Sequence, residues 1–352
     1  MFIQRIVIQN LRALRSIDHE LTLWSGQRAS LTCVRGLNGS GKTTYLESIA
    51  SLWHKFGQWV ESDKYIAPSR EDPLRDAGLC AMQLVDLPGP LNTLWLVFGR
   101  EELWEAIPNR GASQAFGIVF SGKSGKPALL QTEVTRSVSA FWGETYKQLL
   151  RPSLVNTPPH LLPNILFLGA EDRVLQPLRG DLSELAVEQA FRWLARYTPT
   201  ERKEGHLENQ MVEIRDVDPE RYRAIGAAIK QVLPQLELLD RLEGRRRRPL
   251  VRVAGVERPL TLDLLSAGER AAFISLFMIH RWLGEGGVVL IDEPELHQHL
   301  SLMRLNLAAL ERFVVDKKHG QIIVASHAPE VWDQCSTGRI FDLKRQGQND
   351  AA

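Results

Sequence analysis

Two rhythms of apolar residues run along this chain, and their alternation predicts its elements. Residues 2–8 are apolar and β-branched and predict a strand, with a second from Ile17 to Leu23 before the Ser25-Gly26 turn. Ala29 to Arg35 reads as a third strand. The rhythm then turns helical from Lys42 to about Phe56, with Leu46, Ile49, Ala50, Trp53 and Phe56 on one face. Ala81–Leu87 and Thr93–Phe98 predict strands joined through Pro88-Gly89-Pro90, and Phe116–Phe120 a further one. Residues 139–150 read as helix, and Pro152, Pro158, Pro159 and Pro163 punctuate a loop before a short buried strand, Ile165–Leu168. The spacing of Leu182, Leu185, Ala186, Phe191 and Leu194 predicts a helix from Asp181 to about Tyr197. A loop is expected over Thr198–Asn209, and a helix between Asp218 and Leu233 that Pro234 ends. The last part predicts an apolar helix from Ala271 to about Leu283, a buried strand Val288–Ile291, a helix Leu300–Phe313, and strands at Gln321–Ala325 and Ile340–Leu343. The polar tail from Lys344 is expected to fray.

Short, almost wholly apolar strands interleaved with helices indicate an α/β fold with strands buried on both faces. The 352 residues, 44% hydrophobic and 24% charged, suit a globular protein with a sizeable core. A formal net charge of +1 argues neither for nor against a nucleic-acid partner, so any such surface must be a local patch. Cys33, Cys80 and Cys335 are far apart, without metal-ligand spacing, and suit free thiols in a reducing compartment. No apolar run approaches the roughly 20 residues that span a bilayer, so the expected location is cytoplasmic, without a membrane partner.

The chemistry concentrates in a few places. Gly36-Leu37-Asn38-Gly39-Ser40-Gly41-Lys42-Thr43 fits the phosphate-loop pattern, between a strand and a helix as that pattern requires, with Thr44 following. Glycines let backbone N–H groups wrap phosphates, Lys42 would reach the β- and γ-phosphates, and the Thr43 hydroxyl would hold Mg²⁺. Val288–Ile291 ends in Asp292 and Glu293; Asp292 would hold Mg²⁺ and Glu293 would polarise an attacking water. Ser326-His327 ends the next apolar strand, where His327 can meet a phosphate or the attacking water. Ser266 and Glu269 have capping-box spacing at the start of an apolar helix, and with Gly268 that helix start is also an anion site. The polar corner Gly169–Arg173 ends a short strand, where ligands of parallel sheets collect; a plain charged turn is the alternative. Ser121–Lys126 lacks the phosphate-loop pattern and reads as a turn. Pro294–His299 reads as a structured loop at an interface. Arg245, Arg246, Arg247 and Arg248 form a basic run that suits DNA or RNA phosphates, an acidic partner, or a solvated hairpin tip.

Together these motifs resemble the ABC-type ATPase superfamily. Gly36–Thr43 matches its Walker A, Asp292 and Glu293 its Walker B, and His327 its switch histidine. Leu265–Glu269 is similar to the Leu-Ser-Gly-Gly-Gln signature, with Ala267 and Glu269 as departures. Ile6–Arg12 resembles the opening strand and turn of the RecF, SMC and OLD branch. Asp292–His299 resembles a run of OLD-like ATPases, from which Gln298 and Leu300 depart. More than two hundred residues separate Lys42 from Ser266, which argues against a transporter's energy subunit. The resemblance implies a P-loop NTPase fold: one ABC-type head over 1–352, with core lobes near 1–135 and 245–345, a mixed sheet, and a helical insertion near 136–244. It implies ATP and Mg²⁺ as ligands and an ATP-sandwiched homodimer or higher oligomer, with Ser266, Gly268 and Glu269 of one head capping ATP on the other. No acidic cluster resembles the Toprim nuclease of OLD proteins. A stand-alone ATPase beside a separate effector such as a nuclease, in anti-phage defence or DNA maintenance, is therefore expected. A nucleotide-dependent scaffold with little turnover is the alternative that Glu293 and His327 argue against.

Overall fold

A computed structural model describes residues 1–110, 114–122, 125–150 and 162–343. Pro152, Pro158, Pro159, part of the Ser121–Lys126 turn and the tail from Lys344 lie outside the described residues.

Two six-stranded sheets enclose one helix. The first sheet holds β1 (Phe2–Leu11), β2 (Leu14–Glu20), β4 (Leu79–Val85), β5 (Thr93–Arg100), β6 (Ala115–Phe120) and β7 (Pro127–Leu130), ordered β2-β1-β4-β5-β6-β7. It is antiparallel except between β5 and β6, where the short helix α2 (Glu101–Glu105) belongs to the crossover. The second sheet is parallel throughout: β3 (Leu31–Gly36), β8 (Ile165–Leu168), β9 (Leu194–Arg196), β13 (Val288–Asp292), β14 (Gln321–Ser326) and β15 (Arg339–Leu343), ordered β15-β3-β14-β13-β8-β9. Helix α1 (Lys42–Ser62) lies between the sheets, with α3 (Glu133–Leu150) packed beside it.

The period of two explains why the parallel strands are apolar along their whole length. Leu290, Ile323 and Ala325 face the core around α1, while Val289, Ile291, Ile322 and Val324 face a second core. That second core is covered by α4 (Leu207–Val217), α5 (Pro219–Val232), α6 (Ala267–Trp282) and α7 (Leu300–Glu311), and α8 (Pro329–Gln334) adds Val331. A small sheet of β10 (Leu236–Glu243), β11 (Arg248–Val253) and β12 (Leu260–Thr261) leads through a 3₁₀ turn, Leu262–Leu264, into α6. Among the described residues, no helix is long and apolar enough to cross a membrane, and the three cysteines are free and buried.

Two expectations are corrected. The segment Asp181–Tyr197 is not a helix: residues 181–193 are irregular and β9 follows as the edge strand beside β8. Its apolar positions serve different neighbours. Phe191 and Trp193 enter the aromatic cluster with Trp53, Trp142 and Tyr146, while the Ala186 backbone bonds the Asn209 side chain on both its N–H and its carbonyl. Side chains recruited one by one by tertiary partners mimic a helical period over so short a stretch. The loop expected over Thr198–Asn209 also ends early, because His206 caps α4 from its N-terminus by accepting from the Glu208 N–H.

For the arginine run the structure bears out the hairpin-tip alternative. It is the turn of the β10–β11 hairpin, and two of its four side chains are already paired. Arg247 meets Asp216, and Arg248 donates to both oxygens of Glu208, which is 0% exposed, and to Asp263. The run therefore does not present four arginines to a phosphate chain: Arg248 is a structural cation, and Arg245 and Arg246 are the exposed pair. Arg248→Ala leaves Glu208 buried and unpaired, so a loss of about 3 kcal/mol is expected, read as a lower urea midpoint at unchanged slope.

Candidate functional site

Strands β3, β13 and β14 are neighbours and run in one direction, so their carboxyl ends deliver the sequence's polar endings to one edge. At the end of β3 the chain turns through Gly39 and Gly41, both left-handed with φ of 80° and 96°. Gly36 has a different reason: a Cβ there would sit 2.5 Å from Ser40 Oγ and 2.8 Å from the Leu343 carbonyl of β15. A Cβ on Gly41 would meet Leu14 at 2.7 Å, so the β1–β2 turn roofs the loop. In that turn Arg12 reaches Glu47 of α1 at 4.0 Å. Asn38 and Gly39 are exposed, Ser40 is buried, and Thr44 lies half-buried in the first turn of α1. The first N–H groups of α1 have no intrahelical acceptor and, with the helix dipole, make the loop an anion cradle.

Lys42 is buried and donates to the Gly36 and Leu37 carbonyls at 2.9 and 3.2 Å, folded back across its own loop. Thr43 Oγ1 donates to Asp292 Oδ2 at 2.7 Å, which joins α1 to the end of β13. Asp292 is 3% exposed, and its other oxygen, Oδ1, is buried without a hydrogen-bond partner. Burial lifts the Asp292 carboxyl to about 6; the Glu293 charge adds to the rise, and the Thr43 bond opposes it.

These residues fit Mg²⁺. An orphaned buried carboxylate oxygen beside a threonine hydroxyl is a donor pair short of a cation. Mg²⁺ takes few protein ligands and fills the rest of its shell with water and phosphate.

Glu293 occupies an unusual corner, with φ of 45°. Its N–H donates to the Ala325 carbonyl at 2.8 Å, and its side chain approaches His327, Oε1 lying 3.4 Å from Nδ1. Glu295 stands on the same nitrogen at 3.3 Å and accepts from Ser326 Oγ at 2.6 Å. Both carboxylates thus stand on the Nδ1 side of the ring. Arg173 reaches the same corner from the end of β8. Its guanidinium is 2% exposed and donates to the Asp292 and Glu293 carbonyls at 3.0 and 2.5 Å. Burial lowers its pKa to about 10, against the pull of the neighbouring carboxylates, so it stays charged at neutral pH.

Ser266 and Glu269 form the expected capping box on α6. The Ser266 N–H and hydroxyl both donate to Glu269 Oε2, at 3.0 and 2.7 Å, and Gln235 donates to Oε1 at 3.0 Å. Burial opposes ionisation of Glu269, yet these donors hold its carboxyl below its ordinary value. A Cβ on Gly268 would lie 2.7 Å from the His297 carbonyl, so the cap packs on the Pro294–His299 loop. Ser266 itself is exposed.

The structure thus brings Gly36–Thr44, Asp292, Glu293 and His327 together, and it gives Ser266, Gly268 and Glu269 a separate, exposed cap. Sequence reasoning missed Glu295 as the partner of His327, although its place two residues after Glu293 marked it. Arg173 was visible only as part of a suspicious corner.

No protein-family model matches the sequence, and no curated protein matches it. Solved structures do. An SMC head bound to the C-terminal winged-helix domain of ScpA aligns over 97% of this chain and 94% of its own, at 12% identity and a TM-score of 0.51. The dimeric structure of MJ0796, a bacterial ABC transporter cassette, aligns over 96% and 94%, at 14% identity and a TM-score of 0.41. The likeness to the SMC head is one of fold: that of a P-loop, ABC-type ATPase head.

Proposed function

We propose that this chain is one ATPase head that binds Mg-ATP, hydrolyses it, and closes on a second copy around the nucleotide. The observation that carries the reading is the Thr43–Asp292 bond of 2.7 Å beside the orphaned Asp292 oxygen, on the edge that also holds Lys42, Glu293 and His327. In the site, Lys42 leaves its two loop carbonyls for the β- and γ-phosphates, and the loop N–H groups hold their oxygens. Thr43 and Asp292 hold Mg²⁺, which supplies a fixed positive charge against the phosphates. Glu293 accepts a proton from the attacking water, and His327, with Glu293 and Glu295 on its Nδ1 side, offers Nε2 to the γ-phosphate or to that water.

Ser266 and Gly268 cap the nucleotide of the partner copy. Exposed leucines beside both half-sites support this pairing: Leu37 in the loop is 58% exposed and Leu264, two residues before Ser266, is 63% exposed. Lobes near 1–135 and 245–345 then form the head. The segment 136–244 gives it the strands β8 and β9 as well as helices. The OLD-like placement, with a separate effector, is supported by the Ile6–Arg12 turn and the Asp292–His299 run. Arg245 and Arg246 are the basic pair left for DNA, RNA or another acidic partner.

Lys42→Ala tests the reading. Titration with a fluorescent ATP analogue in Mg²⁺ should show at least about a thirtyfold weaker affinity than wild type, since a charged donor to phosphate is worth about 2 kcal/mol or more. Equal affinity would remove the phosphate loop from the account.

A further inference from the structure

We infer that Arg173 is a positioning residue that clamps the backbone of Glu293 and so aims its carboxylate; the inference rests on the ATPase reading above. Register puts it there. β8 pairs with β13 so that Leu168 lies opposite Ile291, and the Gly169–Arg173 corner therefore emerges beside Asp292 and Glu293. The guanidinium donates to two successive carbonyls, those of Asp292 and Glu293, while the Glu293 N–H is held by Ala325 from β14. The Glu293 residue is thus gripped through its N–H from one neighbouring strand and through its carbonyl from beyond the other. Such a grip is what a non-glycine residue at φ 45° needs, because a left-handed corner persists only where its surroundings over-determine it. Both bonds leave one nitrogen, Nη2, which the rigid, buried guanidinium plane holds between the two carbonyls; an ammonium on a flexible stem has no such plane to hold it.

Arg173 is itself braced. Asp172 beside it accepts from Arg196 of β9 at 3.1 Å, and Arg196 also reaches Glu47 of α1 at 3.8 Å. Tyr197 donates its hydroxyl to the Val174 carbonyl at 3.1 Å. The clamp is therefore tied to the helix that follows the phosphate loop, so the corner carrying Glu293 and the loop carrying Lys42 share one frame. Both of its hydrogen bonds go to main-chain carbonyls, so it acts on the geometry of the backbone.

The test uses amide hydrogen exchange on the nucleotide-free chain together with kinetics on Arg173→Gln, Arg173→Lys and Arg173→Ala. In Arg173→Gln, exchange over 292–298 should rise at least about tenfold while 42–52 stays within twofold, because only the corner is released. Turnover should fall at least about thirtyfold with ATP affinity within threefold, the split expected of a group that acts in the transition state. Arg173→Lys should recover less than half of the lost turnover. Millimolar methylguanidinium should restore part of the turnover of Arg173→Ala. Three results would overturn the inference: exchange over 292–298 unchanged, exchange raised equally in both segments with a matching fall in melting temperature, or turnover unaffected in the folded Gln variant. Should the wild type itself hydrolyse no ATP, the proposed function fails, and the exchange comparison still decides whether the clamp exists.

Discussion

Glu293→Gln is expected to lower ATP turnover by about a thousandfold and to leave ATP bound, because an amide cannot take the proton that a general base removes. The fold predicts that little else changes. The N–H of residue 293 still bonds Ala325, its carbonyl still meets Arg173, and a glutamine amide still fits beside His327. Affinity for Mg-ATP should therefore stay within threefold, and the variant should accumulate unhydrolysed nucleotide. Single-turnover hydrolysis by rapid quench measures the first effect, and chromatography of the nucleotide that co-purifies measures the second. A Gln variant that turns over within tenfold of wild type would take Glu293 out of the base role and leave the corner's strain without a function.

Asp292→Asn should separate stability from ligand binding. Asp292 holds its proton more tightly in the folded chain than in the unfolded one, with a folded value of about 6 against an ordinary 3.8. The sign follows: this group's contribution is full below about pH 4, is lost as pH rises through about 6, and leaves a penalty of about 3 kcal/mol at neutral pH. A neutral amide removes most of that penalty. Without nucleotide at pH 7.5, Asp292→Asn should be about 1–3 kcal/mol more stable than wild type, and the difference should close as pH falls toward 4. With Mg-ATP the order should reverse, since wild type gains stability from binding and the variant, with an uncharged ligand at the metal position, binds at least about a hundredfold more weakly. Urea melts at several pH values, with and without Mg-ATP, check all three parts. Equal stability of the two proteins without nucleotide would mean that Asp292 is not a carboxylate waiting for a cation.

Why some of this was legible in the sequence and some was not follows from the range of the interactions. The phosphate loop is local: Gly39 and Gly41 are dictated by their own backbone angles and Lys42-Thr43 by the helix they begin, so eight consecutive residues carry the whole motif. The strand before Asp292 is legible because burial on both faces removes every polar residue, and two acids at its end then stand out. The cap of α6 is legible because Ser266 and Glu269 satisfy each other three residues apart. Arg173 is not. A single arginine in a five-residue corner has no period, and its bonds exist only because β8 lies beside β13, more than a hundred residues later. The partners of Arg248 are illegible for the same reason. In the sequence it belongs to a basic run, and only the fold brings Glu208 and Asp263 to it. The helix expected over Asp181–Tyr197 failed because its leucines and aromatics answer to three different neighbours, and a period needs one.

The central claim is that ATP joins two copies of this chain, and mass measured on Glu293→Gln tests it most directly. Light scattering on the purified full chain, with and without Mg-ATP, should show a monomer of 39.8 kDa becoming a species of twice that mass when ATP is present, and returning when Ser266 is replaced by Arg in the same background. A Glu293→Gln protein that carries ATP and Mg²⁺ yet keeps the mass of one chain at every protein concentration would contradict the account.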